Sequence, residues 1–171
     1  MAATRAFHSG GGVRLAAERW VPAGELRAEV VFVHGLGEHR RARPYVPFYE
    51  RLAAHGYGVF AFDLRGHNLS DKPEGIDAYR VKPLLQDLKQ LIEHLCADRA
   101  DKSCILVAHD WGGAIAWTFA AAFPQYVNKL VIINAPHSVP FARALAHDPA
   151  QQAASAYMNF FRLEKATRVM A

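Results

Sequence analysis

The sequence predicts an α/β chain, a mostly parallel sheet with helices on both faces. Continuous apolar runs bounded by glycine read as buried strands, and residues 83–97 repeat their apolar positions at a helical period. Strand and helix then alternate from residue 28 onward. In chain order, Arg5–His8 and Val13–Trp20 are strand-like, and Ser9-Gly-Gly-Gly12 between them reads as a hairpin turn. Such glycines can also cradle phosphate, but no GxxxxGK[ST] pattern follows. Ala28–His34 is an apolar strand ending in Gly35-Leu-Gly37. Residues 44–55 are helical in pattern and stop at Gly56, a C-terminal cap. Tyr57–Asp63 is the next strand, followed by the turn-rich stretch 65–73. The helix at 83–97 places Leu84, Leu85, Leu88, Leu91, Ile92 and Leu95 on one face. A strand at 103–108, a helix at 111–123 closed by Pro124 and a strand at 129–134 complete the alternation. Beyond His137 no strand is visible, and residues 141–171 read as wholly helical.

Composition sets the bounds. A chain of 171 residues, 51% hydrophobic and 21% charged, is an ordinary globular sequence able to bury a core. Its net charge of +4 comes from scattered cations, with Arg40, Arg41 and Arg43 the one dense cluster. Without interleaved aromatics or a recognition motif, that cluster reads as a solvated loop, and no nucleic-acid partner is expected. Cys96 and Cys104 match no metal or redox spacing and read as free thiols of a reducing compartment. No leader and no membrane-length apolar run is visible, so a cytoplasmic location is expected. Neither a metal nor an organic cofactor is implied.

The segment Ile105–Trp117 carries the chemistry. An apolar strand turns through Ala108-His-Asp-Trp-Gly112 directly into an Ala-rich helix, with small residues two places either side of Asp110. A nucleophile elbow needs that spacing, because the turn admits only small flanking side chains. The apex residue then stands clear of the sheet at a helix start, where backbone amides favour negative charge. Here the apex is a carboxylate, a nucleophile that attacks carbon and leaves an ester on the enzyme. The plainer alternative is that Asp110 only caps the helix, a common role for Asp. In a parallel sheet, ligands bind beyond the carboxyl ends of the strands. Gly35–Gly37, Asp63–Gly66, Asp110 and Asn134–His137 all lie at those ends.

Val33-His-Gly-Leu36, Asp63–Pro73, Val107-Ala-His-Asp-Trp-Gly-Gly113 and Ile133-Asn-Ala-Pro-His137 together resemble the α/β-hydrolase superfamily, and within it the epoxide hydrolases. The resemblance implies an α/β-hydrolase fold of which this chain carries the N-terminal part. Residues 1–137 would be core and 138–171 the start of a helical cap. It implies that Asp110 opens a small hydrophobic epoxide through an alkyl-enzyme ester. The backbone N–H groups of Leu36 and Trp111 would form the oxyanion hole, and Tyr157 would donate to the epoxide oxygen. His34, Gly35, His109, Trp111 and Pro136 would line the substrate pocket, His34 chiefly by anchoring its loop.

Two departures qualify this picture. Gly37 stands where epoxide hydrolases usually carry Pro, and Gly35–His39, Tyr57–Asp63 and Arg65-Gly-His67 are instead similar to monoglyceride-lipase-like hydrolases, which use a Ser apex. The family's acid and base histidine would fall beyond Ala171, and His137, His147 and Asn134 do not substitute for them. A haloalkane dehalogenase, with Trp111 holding the leaving halide, is the alternative chemistry. An incomplete catalyst is the alternative of another class. In that case the strand at 129–134 becomes an unprotected sheet edge, and self-association is expected.

Overall fold

The computed structural model describes residues 2–9 and 11–160. Two antiparallel strands, β1 (Ala2–His8) and β2 (Arg14–Trp20), open the chain and pair from Ala2 with Trp20 to His8 with Arg14. Gly12 closes their turn at φ 76°. The alternating part follows: β3 (Ala28–Val33), α1 (Tyr45–Ala54), β4 (Tyr57–Phe62), α2 (Val81–Leu95), β5 (Cys104–His109), α3 (Trp111–Ala122) and β6 (Val127–Ile133). Helix α2 begins earlier than its apolar period suggested, because Pro83 sits in the first turn, where a missing N–H breaks no intrahelical bond.

The sheet order is β1-β2-β4-β3-β5-β6, with β4, β3, β5 and β6 parallel. From β3 the chain steps to β4 on one side and then returns to place β5 on the other. The order therefore reverses between β3 and β5. Loops leaving the carboxyl ends of such a strand pair diverge and leave a crevice. Gly35–Gly37 lie in the first of those loops, and Asp110 directly follows β5.

The alternation of side chains explains why both sheet faces are apolar. Val31, Val33, Phe60, Phe62, Leu106 and Ala108 face Leu84, Leu88, Leu91, Ile92, Ile115 and Phe119 of α2 and α3. Val30, Phe32, Val59, Ala61 and Val107 point the other way, where Tyr45 and Tyr49 of α1 and Trp20 cover them. Strand β6 is the sheet's last strand, and its Val131 and Ile133 are exposed.

The chain divides into two compact units, Met1–Ala135 and Pro136–Ala171. The second contains α4 (Ser138–His147), α5 (Pro149–Ala154) and α6 (Tyr157–Phe160). The expected continuous helix from 141 is broken at Asp148-Pro149: Pro149 opens α5 and the Asp148 carboxylate accepts from the Ala150 N–H at 2.9 Å. Residues 161–171 of that expectation lie outside the described residues.

Candidate active site

Strand β5 delivers Asp110 to the crevice with φ 49° and ψ −119°. A non-glycine residue there carries backbone strain of about 1–3 kcal/mol, which surrounding structure must hold. The Asp110 N–H donates to the Ile133 carbonyl at 3.0 Å, and its own carbonyl accepts from the Gly113 N–H at 2.9 Å. The small flanking residues have a physical cause. A Cβ on Gly112 would stand 2.5 Å from the carbonyl oxygens of Val33 and His34, and one on Gly113 would collide with Ala135. Helix α3 thus starts directly against the end of β3.

The Asp110 side chain makes no capping bond to α3. Its Oδ2 instead accepts from the Leu36 N–H, across the crevice, at 3.0 Å. Gly35 makes this approach feasible, since a Cβ there would lie 2.9 Å from Asp110 Cβ and 3.0 Å from Asp110 Oδ2. Trp111 is the first residue of α3, half exposed, with its N–H among those a first helical turn leaves unbonded within the helix.

His34 anchors the glycine loop from beneath. Its Nε2 accepts from the Leu64 N–H at 3.0 Å, so the proton sits on Nδ1, which donates to the Gly35 carbonyl at 2.8 Å. Burial pushes its pKa down to about 4, so the ring is neutral at pH 7. His34 is 0% exposed. Both of its nitrogens are used and the ring meets no solvent.

Two residues that the sequence did not single out, Glu38 and Tyr45, complete the surroundings. Glu38 Oε2 accepts from the Gly35 N–H at 2.9 Å and from the Tyr45 hydroxyl, and lies 3.1 Å from His109 Nδ1. The Tyr45 oxygen is 2.8 Å from the same nitrogen. With Tyr45 donating to Glu38, the His109 Nδ1–H is shared between the two oxygens. Burial alone would raise the Glu38 carboxyl, but the bonds from Tyr45, His109 and Gly35 outweigh it and hold the pKa below the ordinary value. Burial and the adjacent Glu38 push the Tyr45 phenol up, keeping it protonated. A cleft of about 310 Å³ opens beside this cluster, lined by Phe32, Glu38, Tyr45, Phe48, His109 and Ile133 among others.

The family model described as serine aminopeptidase, S33, matches residues 24–165. The chain belongs to this α/β-hydrolase family. The description names serine, whereas this α/β-hydrolase carries Asp110 at the turn. It is 44% identical over 108 residues to the AB hydrolase superfamily protein YfhM of Bacillus subtilis, which spans 63% of this chain and 36% of that protein. It is 38% identical over 136 residues to Epoxide hydrolase 1 of Caenorhabditis elegans, covering 80% of this chain and 32% of the relative. Among solved structures, an epoxide hydrolase of Bacillus megaterium in complex with an inhibitor superposes with a TM-score of 0.83 at 35% identity, covering 95% of this chain and 53% of that one. In each case the α/β-hydrolase chain spans well under two thirds of the relative's length.

Asp110, Leu36, Gly35, His34, His109 and Trp111 all belong to the first unit, and the β3 and β5 loops bring Asp110, Gly35 and Leu36 into contact. Pro136 and Tyr157 belong to the second unit, where Tyr157 opens α6 and is exposed. Among the described residues no group of three or more His, Cys, Asp or Glu side chains could hold a metal ion, and no helix is long and apolar enough to cross a membrane.

Proposed function

We propose that Asp110 is the nucleophile of an epoxide-opening hydrolase and that its substrate is a small hydrophobic epoxide converted to a diol. The observation that carries this reading is the placement of the Asp110 carboxylate at a strained strand-to-helix turn, turned away from its own helix and held by the Leu36 N–H. A residue serving only as a cap would bond the α3 amides instead. The likeness to epoxide hydrolases of a nematode and a bacillus supports the choice of substrate.

In this mechanism the Asp110 oxygen not held by Leu36 attacks an epoxide carbon. The carbon–oxygen bond of the ring breaks, and the alkoxide takes a proton from an acid, the role in which Tyr157 is proposed. The product is an ester whose carbonyl oxygen is the Oδ2 already facing Leu36. When water adds to that carbonyl, negative charge develops on the same oxygen, where the N–H groups of Leu36 and Trp111 stabilise it. A water molecule must be activated for this step. Within the first unit, His34 is locked under its loop and His109 is turned to Glu38 and Tyr45, so neither histidine is assigned that task.

The ester is therefore expected to form and persist on the 171-residue chain. Incubation with styrene oxide followed by intact-protein mass measurement should give one adduct per chain, absent in Asp110→Asn. Sustained diol release would show that a base acts here. Equal labelling of wild type and Asp110→Asn would remove Asp110 from the mechanism.

A further inference from the structure

Successive amides of the β3 loop face two different carboxylates. The Gly35 N–H donates to Glu38 Oε2 at 2.9 Å, and the next N–H, that of Leu36, donates to Asp110 Oδ2 at 3.0 Å. The two carboxylates flank the bare α-carbon of Gly35. The point where a Cβ would stand is 2.6 Å from Glu38 Oε2 and 3.0 Å from Asp110 Oδ2. Bringing two anions this close is unfavourable unless each is met by donors. Glu38 gains its donors from three separate elements: the Gly35 amide of the loop, the Tyr45 hydroxyl of α1, and His109 at the end of β5. Asp110 follows His109 directly in the chain. Glu38 thus ties the loop that carries the Leu36 amide to the strand that carries Asp110.

We infer that Glu38, fixed by Tyr45 and His109, is a positioning residue that sets the Leu36 amide against Asp110. Its hydrogen-bond partners are the Gly35 amide, Tyr45 and His109, so it acts on Asp110 through the loop. The chemical consequence rests on the reading of Asp110 as nucleophile, whereas the positioning itself is a property of the loop and can be tested apart from it. With Glu38 in place, the Leu36 N–H holds one carboxylate oxygen and leaves the other to attack. Without it, the Gly35 amide loses its acceptor and the loop is free to turn the Leu36 N–H away. A displacement of an ångström at such a donor is costly to rate.

Glu38→Ala, Glu38→Gln and Tyr45→Phe separate positioning from mere stability. In Glu38→Ala the amides of Gly35 and Leu36 should exchange with deuterium at least about tenfold faster, while the β4 and β5 strand amides keep their protection. Labelling by styrene oxide should slow roughly tenfold. Glu38→Gln keeps a carbonyl oxygen for the Gly35 amide, so it should recover most of both losses. Tyr45→Phe removes one tether only and should fall between the two. Unchanged Gly35 and Leu36 exchange in Glu38→Ala overturns the inference, as does faster exchange spread equally over the whole sheet. If Glu38→Ala does not fold, exchange at the same two amides in Tyr45→Phe decides: faster supports, unchanged overturns. If wild type takes no adduct while Glu38→Ala shows the localised exchange change, Asp110 is refuted as nucleophile and the positioning role stands.

Discussion

At the scale of single residues, the site depends on polar groups placed where water cannot reach them. His34 shows the consequence for pH. Burial lowers its pKa from 6.5 to about 4, so the folded chain binds fewer protons than the unfolded chain between those values. Stability contributed by the neutral ring is complete above pH 6.5 and is lost as pH falls towards 4. Below that both states are protonated and the loss stops. In the limit the loss is about 3 kcal/mol. Urea midpoints measured from pH 7 to pH 4 should fall in wild type and fall less in His34→Gln, whose side chain does not titrate. Parallel slopes in the two proteins would show that other groups govern the acid transition. Asp63 is handled differently. It is buried, paired with Arg40, and accepts from the Arg40 and Leu69 amides and from Asn68. Its place is to fix the loops that flank the crevice.

At the scale of elements, the contact between α3 and β3 decides where Asp110 stands. Gly112 abuts two backbone carbonyls, Val33 and His34, which cannot swing aside as a flexible side chain would. Gly112→Ala should therefore cost about 1–3 kcal/mol, as overpacking of a close contact does. Gly37 gives a contrast: nothing lies within 4 Å of its missing Cβ, and its φ of +72° is the sole objection to alanine. Guanidinium unfolding should place Gly112→Ala below Gly37→Ala, and Gly112→Ala alone should also slow labelling of Asp110 because α3 must shift. Near-equal stability of the two variants would mean that α3 yields more readily than its packing suggests. The elements themselves were legible in the sequence because parallel strands are apolar on both faces and end in glycine turns. The apex Asp110 was legible for the same reason: tight turns restrict their neighbours, and the restriction is written in small residues. Glu38 and Tyr45 were not. Their joint partner His109 is 71 residues from Glu38, and no local period or spacing marks a hydrogen bond between such distant positions. The similarity of Gly35–His39 to lipase-like hydrolases was visible, but not its use as a tether between α1, the loop and β5. The break at Asp148-Pro149 had its own signal, a capping residue before a proline, which the uniform Ala-rich composition obscured.

At the scale of the whole molecule, the sheet ends in two unlike edge strands. Among the described residues β1 pairs with β2 alone, as half of a hairpin, and the apolar β6 pairs with β5 alone. Along β6 the side chains alternate. Leu130 and Ile132 pack against the α2–α3 core, while Lys129, Val131 and Ile133 face outward and are exposed. An open row of backbone donors and acceptors beside exposed β-branched residues is a template for another strand. Lys129 is the one charge on that outward face and opposes such pairing. For the 171-residue chain we expect self-association at micromolar concentration through this edge. Val131→Lys would add a second cation to the same face, so that two β6 strands brought together must approach charge to charge. Its solvent-exposed position should leave folding stability within about 0.5 kcal/mol of wild type. Sedimentation should then show wild type as a concentration-dependent mixture and Val131→Lys shifted towards monomer. A wild-type chain that remains monomeric across the range would mean that Lys129 and the twist of the sheet suffice to protect the edge. Association unchanged by Val131→Lys would place the contact elsewhere.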